Sequence, residues 1–179
     1  MANTYTLIEA MTLTSNQASI EFTSIPQTFT DLKLVLSLRS ARSASTRDDI
    51  YITINSNTGS VYSGKRIFAS DGTNTSSQSF SGGPSDSKLL GAIPASSATS
   101  NTFSNIEVYF PNYTIAANKK SMSSDFTYEN NDATNNITGL GAGLFDNTDS
   151  GITTLKMEIN SANDFTQYST AYLYGIKNS

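Results

Sequence analysis

The sequence predicts an all-β protein: a single-domain antiparallel β-sandwich of about ten strands, jelly-roll-like or a related Greek key, with a closed barrel as the structural alternative. Three observations carry that expectation. Apolar residues recur at every second position in several separate segments. Ser, Thr and Asn fill more than a third of the 179 residues, a composition that suits strands and turns better than helices. Turn chemistry, not helix caps, separates the segments. Hydrophobic residues reach only 37% and charged residues 15%, both low for a soluble domain. Nine Tyr, nine Phe and a net charge of −4 nevertheless argue against a disordered chain.

The elements follow in order. Met1–Ser15 reads as an N-terminal arm or first strand, ahead of a sandwich domain over residues 16–179. Tyr5–Leu13 and Ser19–Ile25 are the first candidate strands. Leu34, Leu36 and Leu38 then alternate with Lys33, Val35, Ser37 and Arg39, the pattern of a half-buried strand. Ser40–Asp49 is a charged connection, expected to be a solvated loop first and a partner-contacting loop second. Ile50, Ile52 and Ile54 alternate with Tyr51, Thr53 and Asn55 up to the turn Asn57-Thr58-Gly59. Val61–Ala69 is a weaker strand. Asp71–Ser87 contains the turn Asp71-Gly72 and the run Gly82-Gly83-Pro84; its Ser/Gly/Asn composition predicts a second solvated loop with no share of the core, with a partner-contacting loop as the second reading here too. Lys88–Ile93 is a short strand candidate. Ile106, Val108 and Phe110 alternate with Glu107 and Tyr109 before Pro111-Asn112. Ser121–Tyr128 and Ile137–Phe145 are candidates, and the turn Asp149-Ser150-Gly151 precedes Leu155, Met157 and Ile159, which alternate with Lys156 and Glu158. Thr170–Ile176 closes the chain with Tyr172, Tyr174 and Ile176 on one face and Ala171 and Leu173 on the other. Apolar on both faces, it should be a central strand or lie beneath a subunit contact. No segment has the pattern and caps of an amphipathic helix, and no fixed-period repeat is present.

Composition excludes several chemistries. There is no Cys, His or Trp. Disulfides, thiolate zinc sites and Ser-His-Asp or Cys-His catalysis are therefore out. The mildly acidic balance argues against direct nucleic-acid binding. No apolar run is long enough for a membrane helix. The N-terminus lacks the basic region and apolar core of a signal peptide, which sets the expectation of assembly in a cytoplasm.

The remaining candidates are weak, and no catalytic, cofactor-binding or metal-binding residue is assigned. Ser85-Asp86-Ser87-Lys88 has Ser-x-x-Lys spacing, but in a Ser-rich loop and not at a helix start. Asp48-Asp49 reads as a salt-bridged turn, and Asp125, Glu129 and Asp132 as a polar loop. Asp146–Gly151 offers oxygens to calcium but lacks the ligand ladder of a calcium loop, so it reads as a hairpin turn. Gly139, Gly141 and Gly143 share one strand face, open to tight sheet packing or an inter-subunit seam. The acceptor matches at Asn74, Asn112 and Asn136 are chance in so Asn-rich a chain. Arg39, Arg42, Arg47, Lys65 and Arg66 gather in the first third, either as a mixed-sign solvated edge or as a surface for an acidic partner.

Five stretches resemble a family of tailed-bacteriophage virion structural proteins: Ser19–Ser40 (SIEFTSIPQTFTDLKLVLSLRS), Tyr51–Ser56 (YITINS), Asn101–Tyr113 (NTFSNIEVYFPNY), Ala142–Asn147 (AGLFDN) and Phe165–Ser179 (FTQYSTAYLYGIKNS). The resemblance implies a β-sandwich in the virion, on the head surface or in a tail fibre, and brings no catalytic residues. Three roles are then open. The first is a non-enzymatic capsid decoration (cement) protein, a homotrimer on the major capsid protein or other virion proteins, with Met1–Ser15 adding a strand to a neighbour. The second is a tail-fibre or receptor-binding module for bacterial surface polysaccharide, using Tyr and Asn. The third, an enzyme on that polysaccharide, has only its carboxylates in favour. The first is the expectation adopted, with no cofactor, nucleic acid or membrane involved.

Overall fold

A computed structural model describes residues 4–70, 74–86, 90–131 and 135–177. The turn Asp71-Gly72, the residues Ser87 and Lys88, Asp132 and the first three residues of the expected arm lie outside them. Twelve strands and no α-helix occupy the described residues: β1 (Tyr5–Thr12), β2 (Ser19–Phe22), β3 (Asp31–Ser37), β4 (Arg47–Ile54), β5 (Tyr62–Ser70), β6 (Asn74–Gly82), β7 (Ala92–Pro94), β8 (Asn105–Phe110), β9 (Lys120–Tyr128), β10 (Ile137–Phe145), β11 (Leu155–Ile159) and β12 (Thr170–Ile176). They form two antiparallel sheets. The larger has the order β1-β12-β3-β8-β9-β10-β5-β6 and the smaller β2-β11-β4-β7.

Eight of these strands make a jelly roll. β1 pairs with β12, β2 with β11, β3 with β8 and β4 with β7, so partners are taken from the two ends of the chain inward. Such nested pairs, folded over one another, yield the four-on-four order β1-β12-β3-β8 over β2-β11-β4-β7. The pairs β5–β6 and β9–β10 are additions. They dock edge-on beyond β8, joined to each other where β10 pairs with β5 along nine residues, and double the width of one sheet.

Alternation sets what each face buries. Leu32, Leu34 and Leu36, with Ile106, Val108 and Phe110 and with Ala171 and Leu173, point inward from the larger sheet and are buried. Ile20, Phe22, Ile50, Ile52, Ile54, Leu155 and Met157 answer from the smaller one, all within one continuous core. Each such side chain contributes about 1.5–3 kcal/mol by leaving water. β12 is a central strand between β1 and β3, with Ala171 and Leu173 on the core and Tyr172 and Tyr174 half-buried on the outer face.

Several expectations are corrected. The stretch read as a solvated loop, Asp71–Ser87, contains β6, paired with β5 from Asn74 to Gly82. Its serines sit on an edge strand with both faces largely in water, so no apolar alternation marks it. β4 starts at Arg47, inside the expected loop Ser40–Asp49, because Asp48 is buried yet satisfied: Ser40 Oγ and Ser161 Oγ donate to its Oδ2 at 3.0 and 2.5 Å. The basic group does not form one surface. Arg39 and Arg66 are buried, while Arg42, Arg47 and Lys65 stay exposed. In the stretch read as an arm or a first strand, Tyr5–Thr12 pair as β1 with β12 of the same chain.

Candidate functional site

The outer face of the eight-stranded sheet carries the feature that packing does not explain. Among the described residues seven large hydrophobic side chains are open to solvent; Ile115 and Tyr168 stand in loops, and the other five are Tyr5 (54% exposed), Leu7 (51%), Ile67 (49%), Tyr109 (36%) and Leu140 (57%). All five sit on strands of this one sheet. The register explains their grouping. Lys33, Tyr109, Ser123 and Ala142 stand opposite one another on β3, β8, β9 and β10, and the next row runs Val35, Glu107, Asp125, Leu140 and Ile67. A polar stripe across the sheet's middle thus separates apolar ground on either side.

Tyr5, Lys33, Glu107, Tyr109, Ser123, Asp125 and Leu140 line a groove of about 390 Å³ over that stripe. Lys33 Nζ meets Glu107 Oε2 at 2.6 Å. The bond to Glu107 raises the Lys33 pKa against the opposing effect of burial. Tyr109 donates to Asp31 Oδ2 at 2.5 Å, and the Asn112 backbone N–H donates to Asp31 Oδ1 at 2.8 Å. That bond, with burial and the carboxylate's charge, pushes Tyr109 up to about 12. The groove therefore holds a fixed ion pair, a phenol that stays protonated, and the carboxylate of Asp125. A lysine committed to a carboxylate and a phenol this weakly acidic are poor proton carriers at neutral pH. They are suitable for holding a surface or a hydroxyl-rich ligand. Beyond Leu140 a recess of about 330 Å³ continues over Ile67, Ala69, Thr127 and Thr138.

The other polar clusters hold the fold. Arg39 donates to the carbonyls of Thr99 (2.9 Å), Thr102 (2.9 Å) and Ala98 (3.1 Å), which pins the loop between β7 and β8. Arg66 donates to Gln78 Oε1 at 2.9 Å and lies over the Phe68 ring at 5.0 Å. Burial lowers the pKa of both guanidinium groups. Asp49 stands 3.9 Å from Arg66, so the acidic pair Asp48-Asp49 is divided between two basic partners. In the Asp146–Gly151 turn, Asp146 pairs with Lys119 at 2.7 Å and Asn147 Oδ1 accepts the Asp149 N–H at 2.9 Å. Those oxygens serve an ion pair and an Asx turn, and the segment is not the expected hairpin turn: it crosses between the sheets, since β10 pairs with β5 and β9 while β11 pairs with β2 and β4. Among the described residues, no group of three or more acidic side chains could hold a metal ion. Asp125 faces Glu107 and Leu140 on the open sheet, away from the turn that Glu129 begins. A Cβ on Gly139 would lie 2.5 Å from the Phe126 ring and 2.6 Å from the Ile67 carbonyl. The chain itself fills that side of the glycine face.

The fold defines a class, a jelly-roll β-sandwich with one widened sheet and an open groove on its outer face. Comparison with known proteins takes the identification no further. No protein-family model and no curated protein matches the chain. Among solved structures, the VIP36 exoplasmic/lumenal domain in its Ca2+/Man3GlcNAc-bound form is 12% identical, with 98% of this chain and 85% of that one covered and a TM-score of 0.32. The CBM40 module of the Ruminococcus gnavus IT-sialidase, bound to α2,3 sialyllactose, is 8% identical over 97% and 94% of the two chains, with a TM-score of 0.26. The CBM2 module of the Lactobacillus casei BL23 phage J-1 evolved Dit is 10% identical over 90% and 69%, with a TM-score of 0.18. Likenesses this slight carry no argument about ancestry or ligand.

Proposed function

We propose that this protein is a non-enzymatic structural component of a tailed-phage particle, and that it decorates the capsid. The observation that carries the reading is the outer face of the wide sheet, where Tyr5, Leu7, Tyr109, Leu140 and Ile67 stand exposed around a polar stripe. Apolar ground of this kind on a rigid sheet gains free energy when covered by another protein. The stripe, with Lys33, Glu107 and Asp125 fixed in position, supplies the polar contacts that set orientation. The resemblance of the five sequence stretches to virion proteins supplies the setting, and the major capsid protein is the partner proposed. Trimers on the shell would bind through several such faces at once, so modest single contacts suffice. Quantitative gel densitometry of purified particles tests this: hundreds of copies per particle are expected, and tens or fewer would overturn it.

A second reading is favoured by the groove alone. Two tyrosines flanking carboxylates and a lysine can stack on a sugar ring and accept its hydroxyl protons. In this reading the protein is a receptor-binding module for bacterial surface polysaccharide. Affinity electrophoresis in gels containing host capsular polysaccharide separates the two. Retardation of the native protein that Tyr5→Ala abolishes supports the module, and unchanged migration rejects it.

A further inference from the structure

Sheets end in edges, and an edge strand offers unpaired backbone groups to any strand that can lie beside it. Three of the four edges here are blocked. β1 carries a bulge between Leu7 and Glu9 and an acidic side chain at Glu9. β2 has only four residues, one of them Glu21. β7 has three and ends in Pro94. The fourth edge, β6, has none of these devices. It runs nine residues, Asn74–Gly82, with no charge and no proline, and its register with β5 is unbroken. Among the described residues, no loop backbone hydrogen-bonds to its outer side. Thr75, Ser76, Ser77, Gln78 and Ser79 are all exposed.

We propose that β6 is an association edge, and that its occupant is the β6 strand of a second copy of this chain, paired antiparallel about a two-fold axis. Self-pairing fits because the strand is charge-free: no like charges meet when it lies against itself. Pairing about Gln78 keeps each side chain on its own face, with Ser77 across from Ser79 of the partner subunit. The axis then runs perpendicular to the sheet, and the two outer faces with their grooves lie on the same side of one continuous sheet. That arrangement lets both outer faces meet one flat surface together. The contact does not depend on which of the two proposed roles applies.

The test is self-association of the full chain by sedimentation equilibrium over a wide concentration range, for three proteins. The native chain should at least double the mass of its basal unit: a monomer gives a dimer, and a trimer, which carries three such edges, gives larger assemblies. The double variant Ser77→Glu with Ser79→Glu places carboxylates opposite one another across the axis, while within the chain Ser79 faces Lys65, a favourable neighbour for an acid. Its association should weaken about tenfold or more, and salt should restore part of it. The double variant Ser77→Thr with Ser79→Thr, uncharged and better suited to a strand, should associate like the native chain. Thermal melts confirm that all three fold. A native chain that never doubles, or a Glu variant that doubles like the native one, overturns the proposal.

Discussion

Tyr109 donates a 2.5 Å hydrogen bond to Asp31 Oδ2 and so ties the outer face of β8 to the first residue of β3. The same carboxylate accepts the N–H of Asn112, which turns with a positive φ of 49° two residues after β8. One buried acid therefore orders both the groove wall and the turn that follows it. Tyr109 is held at about 12, and Tyr62, buried with its hydroxyl on the Asn57 carbonyl, also reaches about 12. A phenol whose folded pKa exceeds its unfolded value of about 10 adds stability at every pH below about 10 and loses it as pH climbs towards 12. Urea midpoints should hold level up to about pH 10 and then fall steeply. In Tyr109→Phe the alkaline fall should be shallower. At neutral pH that variant should lose about 1–3 kcal/mol, since Asp31 forfeits a donor while buried.

Arg39 makes a sharper prediction because its guanidinium serves three carbonyls at once, those of Ala98, Thr99 and Thr102. Arg39→Lys keeps the charge but not the planar fork that reaches them together. Both Arg39→Lys and Arg39→Met should destabilise by about 2–4 kcal/mol, with lysine giving little rescue. Limited proteolysis should then cut between β7 and β8, where the native chain should resist.

How much of this was legible beforehand depended on whether a residue's environment repeats along the chain. Leu34, Leu36, Ile106, Val108, Leu155 and Met157 alternate because each strand has one face on the core, and those strands appear where the pattern places them. β6 puts only Phe80 against the core, so no alternation emerges and its serines resembled a loop. Arg39 read as an outward charge because it continues the alternation of β3. It turns inward only because carbonyls from a segment sixty residues away satisfy it. The jelly roll was within reach as a strand count, but the nested pairing depends on contacts between distant segments. The groove was invisible for the same reason. Tyr5, Lys33, Tyr109, Asp125 and Leu140 come from five strands, and only the sheet order makes them neighbours.

Gly139 tests how tightly the widened part of the sheet closes. Its missing Cβ leaves room for the Phe126 ring, whose nearest atom would stand 2.5 Å from an added methyl, with the Ile67 carbonyl at 2.6 Å on the other side. A ring can shift, but a ladder carbonyl cannot without breaking the β10–β5 pairing. Gly139→Ala should therefore cost about 1–3 kcal/mol in chemical denaturation. Leu34→Ala, in the centre of the sandwich, should cost about 2–5 kcal/mol by the opposite route of an unfilled cavity.

Leu140 and Ile67 face one another on β10 and β5 and are the most exposed aliphatic side chains on the sheet's far half. Because water already reaches them, replacing both with Lys removes little that folding depends on, and the midpoint of unfolding should move by less than about 1 kcal/mol. Their effect on docking should be large. Two ammonium groups set into the apolar half of a contact must be stripped of water without a prepared partner, a cost of several kcal/mol. Particles assembled with the Leu140→Lys, Ile67→Lys protein should carry at least about tenfold fewer copies than those assembled with the native chain, a loss worth about 1.4 kcal/mol per bound unit. Densitometry of purified particles reads the ratio. Native occupancy by a variant that melts like the native chain would mean the capsid is met by some other face.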